Sequence, residues 1–196
     1  MGAEVDGLVL AGGRSRRMGQ DKAEMVYRDG KSQIEVVCDL LTALGVKPFV
    51  SLRTDQKAKL DGVDVVRDVF GEIGPVGAIG SAQQANPNVA WLVIACDLPA
   101  LDQPTLEGLL ASRDEGAGAV CFSSEHDGRP EPLCAIWEPS SVEAVRAAID
   151  EKKLCARRLL EDESFTVRVL DPVVAGALDN ANTPDEAEKI RRQSMK

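Results

Sequence analysis

Arg14, Arg16, Arg17 and Lys22 fall in one short stretch, opposed only by Asp21, and directly follow the pair Gly12 and Gly13. Glycines carry no Cβ, so their backbone N–H groups can come close to an anion. An arginine fork and a lysine point charge can then neutralise phosphate oxygens. The chemistry this suggests is binding of a diphosphate or triphosphate. The stretch is not a Walker A loop, because Gly19 is followed by Gln20 rather than lysine. It is not a dinucleotide fingerprint either, since no G-x-G-x-x-G follows the apolar run that precedes it.

Two carboxylates stand out in the same way. Asp97 follows Trp91-Leu92-Val93-Ile94-Ala95-Cys96 and precedes Leu98-Pro99. A carboxylate leaving the end of a buried strand toward a phosphate loop is a natural Mg²⁺ ligand, since Mg²⁺ takes oxygen and needs only one or two carboxylates. Asp68 closes Val65-Val66-Arg67-Asp68 and leads into Gly71-Glu72-Ile73-Gly74-Pro75-Val76-Gly77-Ala78-Ile79, which reads as a rigid, close-fitting loop. A carboxylate there can accept two hydrogen bonds from the N1 and N2 positions of guanine, a donor pair that cytosine and adenine lack.

These loops need elements to position them. Val5–Leu10, Phe49–Leu52, Val63–Val66 and Trp91–Ala95 are short apolar runs without polar alternation, as buried parallel strands are. Ala119–Phe122, Leu133–Trp137 and Phe165–Leu170 follow. Ser32 with Glu35 forms a capping-box pattern ahead of Ile34, Val37, Cys38, Leu41 and Leu44, and Gly45 ends that helix. Ser140 with Glu143 predicts a second box, and Thr183-Pro184 with Glu186 a third helix start. Strands alternating with helices imply βαβ units, a largely parallel sheet, and ligands at the carboxyl ends of the strands. The expected architecture is a single three-layer α/β domain over residues 1–196, with a mostly parallel, Rossmann-like sheet.

Composition narrows the functions. The chain has 196 residues, 44% of them hydrophobic and 28% charged, a mixture that builds a globular core. A formal net charge of −9 sets the molecule against nucleic acid and anionic membrane surfaces. With His126 as its single histidine, a multi-histidine zinc site is excluded, and His126 itself reads as a loop residue. Five cysteines without a C-x-x-C pair, and no signal peptide, point to the reducing cytoplasm. Cys38, Cys96, Cys121 and Cys134 sit in apolar runs, as small buried hydrophobes do.

The run Leu10-Ala11-Gly12-Gly13-Arg14-Ser15-Arg16-Arg17-Met18-Gly19-Gln20-Asp21-Lys22-Ala23 resembles the L-x-G-G-x-S-x-R-M-G-x-D-K-A signature of the MobA-like nucleotidyltransferases, the molybdenum cofactor guanylyltransferases. The resemblance extends over nearly the whole chain. It implies the nucleotide-diphospho-sugar transferase type of fold. It places nucleotide-phosphate contacts at Leu10, Ala11, Gly12, Gly13, Arg17 and Lys22, and guanine contacts at Asp68, Gly74 and Gly77, with Val76 replacing the usual leucine. Asp97, in a C-D-x-P motif, becomes the Mg²⁺ ligand; Arg17, Lys22 and Asp97 form the catalytic set. Gly128-Arg129-Pro130-Glu131-Pro132-Leu133 is similar to the acceptor-side G-R-x-H-P-L, with Glu131 where histidine is common, and Arg129 is the candidate for an anionic pterin phosphate. Asn180 and Asn182, in a segment like N-x-N-T-P-x-D, complete the acceptor side. Cys155-Ala156-Arg157-Arg158-Leu159-Leu160 resembles a downstream family stretch with R-x-L-L-type spacing, but Arg157 and Arg158 read as solvated helix charges. Lys31-Ser32-Gln33 departs from the usual G-K-P-L, and Ser51-Leu52-Arg53 matches an asparagine-bearing stretch weakly.

The implied activity is transfer of GMP from GTP to molybdopterin with release of pyrophosphate, with transient molybdoenzyme or cofactor-biosynthesis partners. Three alternatives stay open: a CTP-dependent sister enzyme or one with another phosphorylated acceptor, a nucleotide binder without catalysis, and a nucleotide-sugar glycosyltransferase. The last would normally want a D-x-D metal motif, which is absent.

Overall fold

The computed structural model describes residues 2–11, 26–28 (backbone only), 30–56, 62–181, 183, 185, 186 and 188–190. Gly12, Gly13, Arg17, Lys22 and Asn182 lie outside these described residues.

The chain runs through β1 (Val5–Leu10), β2 (Val26–Arg28), β3 (Lys31–Ser32), α1 (Gln33–Ala43), β4 (Lys47–Arg53) and β5 (Asp64–Asp68). It continues with α2 (Pro75–Ala85), β6 (Ala90–Ala95), α3 (Gln103–Ala111), β7 (Ala119–Ser123) and β8 (Pro130–Trp137). A 3-10 turn at Pro139–Ser141, α4 (Val142–Asp150), α5 (Ala156–Leu160) and β9 (Val167–Leu170) follow. Among the described residues, seven strands form one sheet in the order β5-β4-β1-β6-β8-β7-β9, and β2 and β3 form a separate ribbon. β1 pairs in parallel with β4 and β6, β4 with β5, and β7 with β9; β8 alone runs antiparallel to both its neighbours. The sheet is thus mostly parallel, as its apolar runs predict. The direction of β8 carries no signature in its own residues.

Each face of the sheet has its own core. Val37, Leu41, Leu106 and Leu109 bring α1 and α3 onto one face with Val9, Leu92 and Ile94. Val76, Ile79, Val145 and Leu160 bring α2, α4 and α5 onto the other with Leu8, Val93 and Trp137. β6 is buried at every position because helices cover both its faces. This is the expected three-layer sandwich.

The capping box at Ser32 forms in full: the Ser32 N–H donates to Glu35 Oε2 at 2.6 Å, and Ser32 Oγ accepts from the Glu35 N–H at 3.4 Å. The expected box at Ser140 does not form. The Ser140 hydroxyl donates instead to the Ala117 carbonyl at 3.0 Å, and the 3-10 turn leads into α4 without a side-chain cap. Thr183 Oγ1 accepts from the Glu186 N–H at 3.2 Å, the contact its cap pattern predicts. The segment expected as a rigid loop at Gly71–Ile79 becomes helix from Pro75 onward. Gly74 is its N-cap at φ 81°, a left-handed conformation suited to glycine, and Pro75 supplies a preset φ at the first turn. No helix among the described residues is long and apolar enough to cross a membrane.

Candidate active site

Four parallel strands, β5, β4, β1 and β6, present their carboxyl ends at one edge. Ala95, Leu10, Ser51 and Val66 stand in one row across them. Asp97 and Asp68 therefore each lie two residues beyond that row, at opposite ends of it. Three strand spacings separate them, about 14 Å in all. Between them, Ala11 extends the β1–β4 ladder by one step: its N–H donates to the Ser51 carbonyl at 3.2 Å. Its own carbonyl accepts from Gln56 Nε2 at 3.3 Å. Leu10 and Ala11 thus aim the chain toward Gly12 from the middle of the row.

Asp68 is 9% exposed. Its Oδ1 accepts from the Phe70 N–H at 3.1 Å and lies 3.2 Å from Ser81 Oγ. The Ser81 hydroxyl has one proton and a closer acceptor, the Gly77 carbonyl at 2.7 Å, so Phe70 is the steady partner of Asp68. Oδ2 has no hydrogen bond among the described residues. Burial pushes the carboxyl above the usual aspartate range, partly offset by the bonds to Phe70 and Ser81. Gly77 lies in the first turn of α2 against this group. A Cβ there would stand 2.6 Å from Ile73 Cγ1 and 3.3 Å from Asp68 Oδ1. Asp68, Gly74 and Gly77 are therefore brought together at one end of the row.

Asp97 is half-buried at the other end. The Ala181 N–H donates to its backbone carbonyl at 2.9 Å, and Gln33 Nε2 donates to the next carbonyl, Leu98, at 2.9 Å. No cluster of three or more His, Cys, Asp or Glu side chains suited to a metal gathers among the described residues. Among the described residues that donor set offers no closed protein cage. It fits Mg²⁺, which binds through one or two carboxylates and completes its shell with substrate phosphates and water.

Beyond Asp97, β7 runs parallel to β6, so its carboxyl end opens on the same edge. A cavity of about 320 Å³ lies there, with Ser123, Asp127, Glu131, Arg157, Asp179 and Asn180 among its lining residues. Asn180 lines this cavity, one residue before Ala181, whose N–H bonds to the Asp97 carbonyl. Arg129 is not among the lining residues: its Nε and Nη2 fork onto Glu161 at 2.6 and 2.8 Å. The lining arginine is Arg157, expected to be a solvated helix charge. It reaches Asp127 Oδ2 at 3.2 Å and Glu131 Oε2 at 3.0 Å. Glu131 thereby acquires a partner in Arg157, and its Oε1 also accepts from the Leu133 N–H at 3.0 Å. His126 sits in an exposed loop as expected, with Nε2 2.9 Å from Asp179 Oδ1. Sequence reasoning missed Gln56, Gln33 and Arg157. Gln56 belongs to no motif, Gln33 stands where the chain departs from the related pattern, and Arg157 has its place because α5 packs against β8.

Three of the five cysteines are buried, and Cys155 is exposed. Burial pushes the Cys38 and Cys121 thiols up to about 12, Cys134 is also buried and raised, and Cys96 is half-buried rather than fully enclosed.

Residues 7–169 match the MobA-like NTP transferase domain. The chain belongs to the MobA-like NTP transferase family. It is 31% identical over 186 residues to a molybdenum cofactor biosynthesis bifunctional protein of Synechocystis sp., covering 94% of this chain and 53% of that one; the chain spans about half the length of that relative. It is 32% identical over 193 residues to a molybdenum cofactor guanylyltransferase of Rhizobium meliloti, covering 91% of this chain and 87% of that one. In fold it is similar to the molybdopterin-guanine dinucleotide biosynthesis protein A of Archaeoglobus fulgidus. The TM-score is 0.76 at 23% identity, over 97% of this chain and 98% of that one. This MobA-like chain is thus a nucleotidyltransferase.

Proposed function

We propose that residues 1–196 act as one transferase domain in the cytoplasm, moving GMP from GTP to molybdopterin and releasing pyrophosphate. The observation that carries the reading is the pair of carboxylates at opposite ends of one strand-end row. Asp68 offers a hydrogen-bond acceptor suited to guanine, and Asp97, across about 14 Å of sheet edge, offers a hard oxygen ligand. A nucleotide lying along the row would set its base on Asp68, Gly74 and Gly77 and its phosphates by Asp97. The Rhizobium meliloti relative bears the matching name, molybdenum cofactor guanylyltransferase.

In this reading a terminal phosphate oxygen of molybdopterin attacks the α-phosphorus of GTP in line. The new P–O bond forms as the bond to pyrophosphate breaks. The attacking oxygen is already anionic, so the chain needs no strong general base. Its residues bind, orient and neutralise. Gly12 and Gly13 bring backbone N–H groups to the phosphates, Arg17 and Lys22 balance their charge, and Asp97 holds the cation. Mg²⁺, when bound, supplies charge neutralisation at the transferring phosphoryl group. On the acceptor side, Asn180 and Asn182 supply donors and acceptors. Arg157 replaces Arg129 as the cation for an acceptor phosphate. The carboxylates of Asp127, Glu131 and Asp179 suit the N–H donors of a pterin ring.

Thermal stabilisation by GTP, CTP, ATP and UTP, each with Mg²⁺, tests the nucleotide assignment. GTP at a hundred times its Kd should stabilise the fold by about 2.7 kcal/mol, and the others by much less. A preference for CTP would make the chain a cytidylyltransferase. No response to any nucleotide would remove the transferase reading.

A further inference from the structure

Gln33 opens α1 with a side chain 1% exposed, where the related G-K-P-L pattern has leucine. Its Nε2 donates to the Leu98 carbonyl at 2.9 Å, across 65 residues of sequence. Its Oε1 is buried and meets no hydrogen-bond partner among the described residues. A buried amide satisfied at one end only is less favourable for folding than an apolar side chain of similar size, so its presence calls for an explanation beyond packing. The bond it does make is informative. Leu98 directly follows Asp97, and its carbonyl already accepts from the Leu101 N–H at 3.2 Å. That turn therefore closes without Gln33. What Gln33 adds is a tie between the turn and the rigid start of α1.

A second tie holds the preceding carbonyl. The Ala181 N–H donates to Asp97 O at 2.9 Å. Two successive carbonyls, of Asp97 and Leu98, are thus gripped from different elements, and Pro99 restricts the backbone of Leu98 immediately after. Fixing both carbonyl directions fixes the two peptide planes that flank the Leu98 Cα, and the first of these planes is bonded to the Asp97 Cα that bears the carboxylate.

We propose that Gln33 is a positioning residue that sets the aim of the Asp97 carboxylate toward a divalent cation bound with the nucleotide. The proposal rests on the reading of Asp97 as the metal ligand. Gln33 touches neither substrate nor metal; it acts through the Leu98 backbone.

The test compares wild type, Gln33→Met and Asp97→Ala in the full chain. Free Mn²⁺ is measured by electron paramagnetic resonance during titration in the presence of GTP, and amide hydrogen exchange is followed over residues 97–101. Methionine fills the volume of glutamine without its polar ends. Gln33→Met should keep the wild-type melting temperature within a few degrees and exchange faster at Leu98 and Leu101. It should bind Mn²⁺ roughly 10-fold more weakly, the scale seen when a group orienting a metal ligand is removed. Catalytic rate should recover at saturating metal, since a purely structural defect would not be rescued by the cation. Unchanged Mn²⁺ affinity in a folded Gln33→Met protein, with Asp97→Ala impaired, overturns the proposal alone. Unchanged affinity in Asp97→Ala overturns the metal reading beneath it. If Gln33→Met does not fold, Gln33→Leu restores the apolar residue of the related pattern and is judged by the same outcomes.

Discussion

Replacing Asp68 with asparagine separates recognition from stability at one position. Asparagine keeps an oxygen to accept the Phe70 N–H, now at 3.1 Å from Oδ1, and removes a charge that the fold has largely desolvated. For a carboxyl whose folded pKa is raised, the folded state holds its proton more tightly than the unfolded one. Fold stability therefore falls as pH rises from the ordinary aspartate range through the raised value, and the full penalty applies above it. Asp68→Asn should then melt at or above the wild-type temperature at pH 7, with the advantage fading as pH falls through the raised value and gone below the ordinary aspartate range. Nucleotide recognition should move the other way. Oδ1 is engaged within the protein, which leaves Oδ2 to meet guanine. Losing one hydrogen bond to a charged group removes about 1.5–3 kcal/mol, so kcat/KM for GTP should fall roughly 10- to 150-fold. Steady-state kinetics with GTP and with ITP, which lacks the 2-amino donor, give the readout alongside thermal melts at several pH values. The variant should lose the preference for GTP over ITP. A stable Asp68→Asn protein with GTP kinetics within twofold of wild type would refute the guanine contact. A collapse in melting temperature would show that the carboxylate is needed for folding.

Other consequences follow from the same geometry. Gly77→Ala drives a Cβ into Ile73 Cγ1, which should destabilise by about 1–3 kcal/mol and lower the melting temperature by roughly 2–12 °C. Adding Ile73→Ala should recover part of that loss in calorimetry, and no recovery would place the strain elsewhere. Arg113→Ala strips Glu138, whose side chain is 2% exposed, of a fork at 2.7 and 2.8 Å. The uncompensated charge should cost about 3–5 kcal/mol in denaturant unfolding, and a change below 1 kcal/mol would contradict it. Arg157→Ala should raise the acceptor KM roughly 10-fold or more, whereas Arg129→Ala, which loses an exposed pair with Glu161, should leave it nearly unchanged. The reverse ranking in acceptor titrations would return the acceptor phosphate to Arg129.

The positions of the strands were readable because a strand covered on both faces must be apolar throughout. Val5–Leu10 is β1 to the residue, and Trp91–Ala95 falls one residue inside β6. Strand direction was not readable in the same way. Leu133–Trp137, the inner part of β8, is as apolar as β6 yet runs against it, and only the pairing of Ile94 with Cys134 and of Trp91 with Trp137 decides that. The helix α2 was missed because its first turns carry Gly77 and Gly80, poor helix formers that read as loop. Tertiary packing overrides them: each glycine lets a neighbour, Ile73 or Ile149, come closer than a Cβ would permit. The strand-end placement of Asp68 and Asp97 was legible because apolar runs followed by carboxylates are local patterns. Arg157 and Gln33 were not, because each owes its place to a partner far away in sequence: Glu131 for one and Leu98 for the other.

The central claim is chemical, and one assay reaches it directly. Purified chain, Mg²⁺, molybdopterin and GTP labelled at the α-phosphorus should yield labelled molybdopterin guanine dinucleotide and one pyrophosphate per product. Asp97→Ala and Lys22→Ala should each abolish most of that transfer, while CTP should give little product. Label that enters the acceptor from CTP in preference to GTP, or full transfer by the Asp97→Ala protein, would contradict the account.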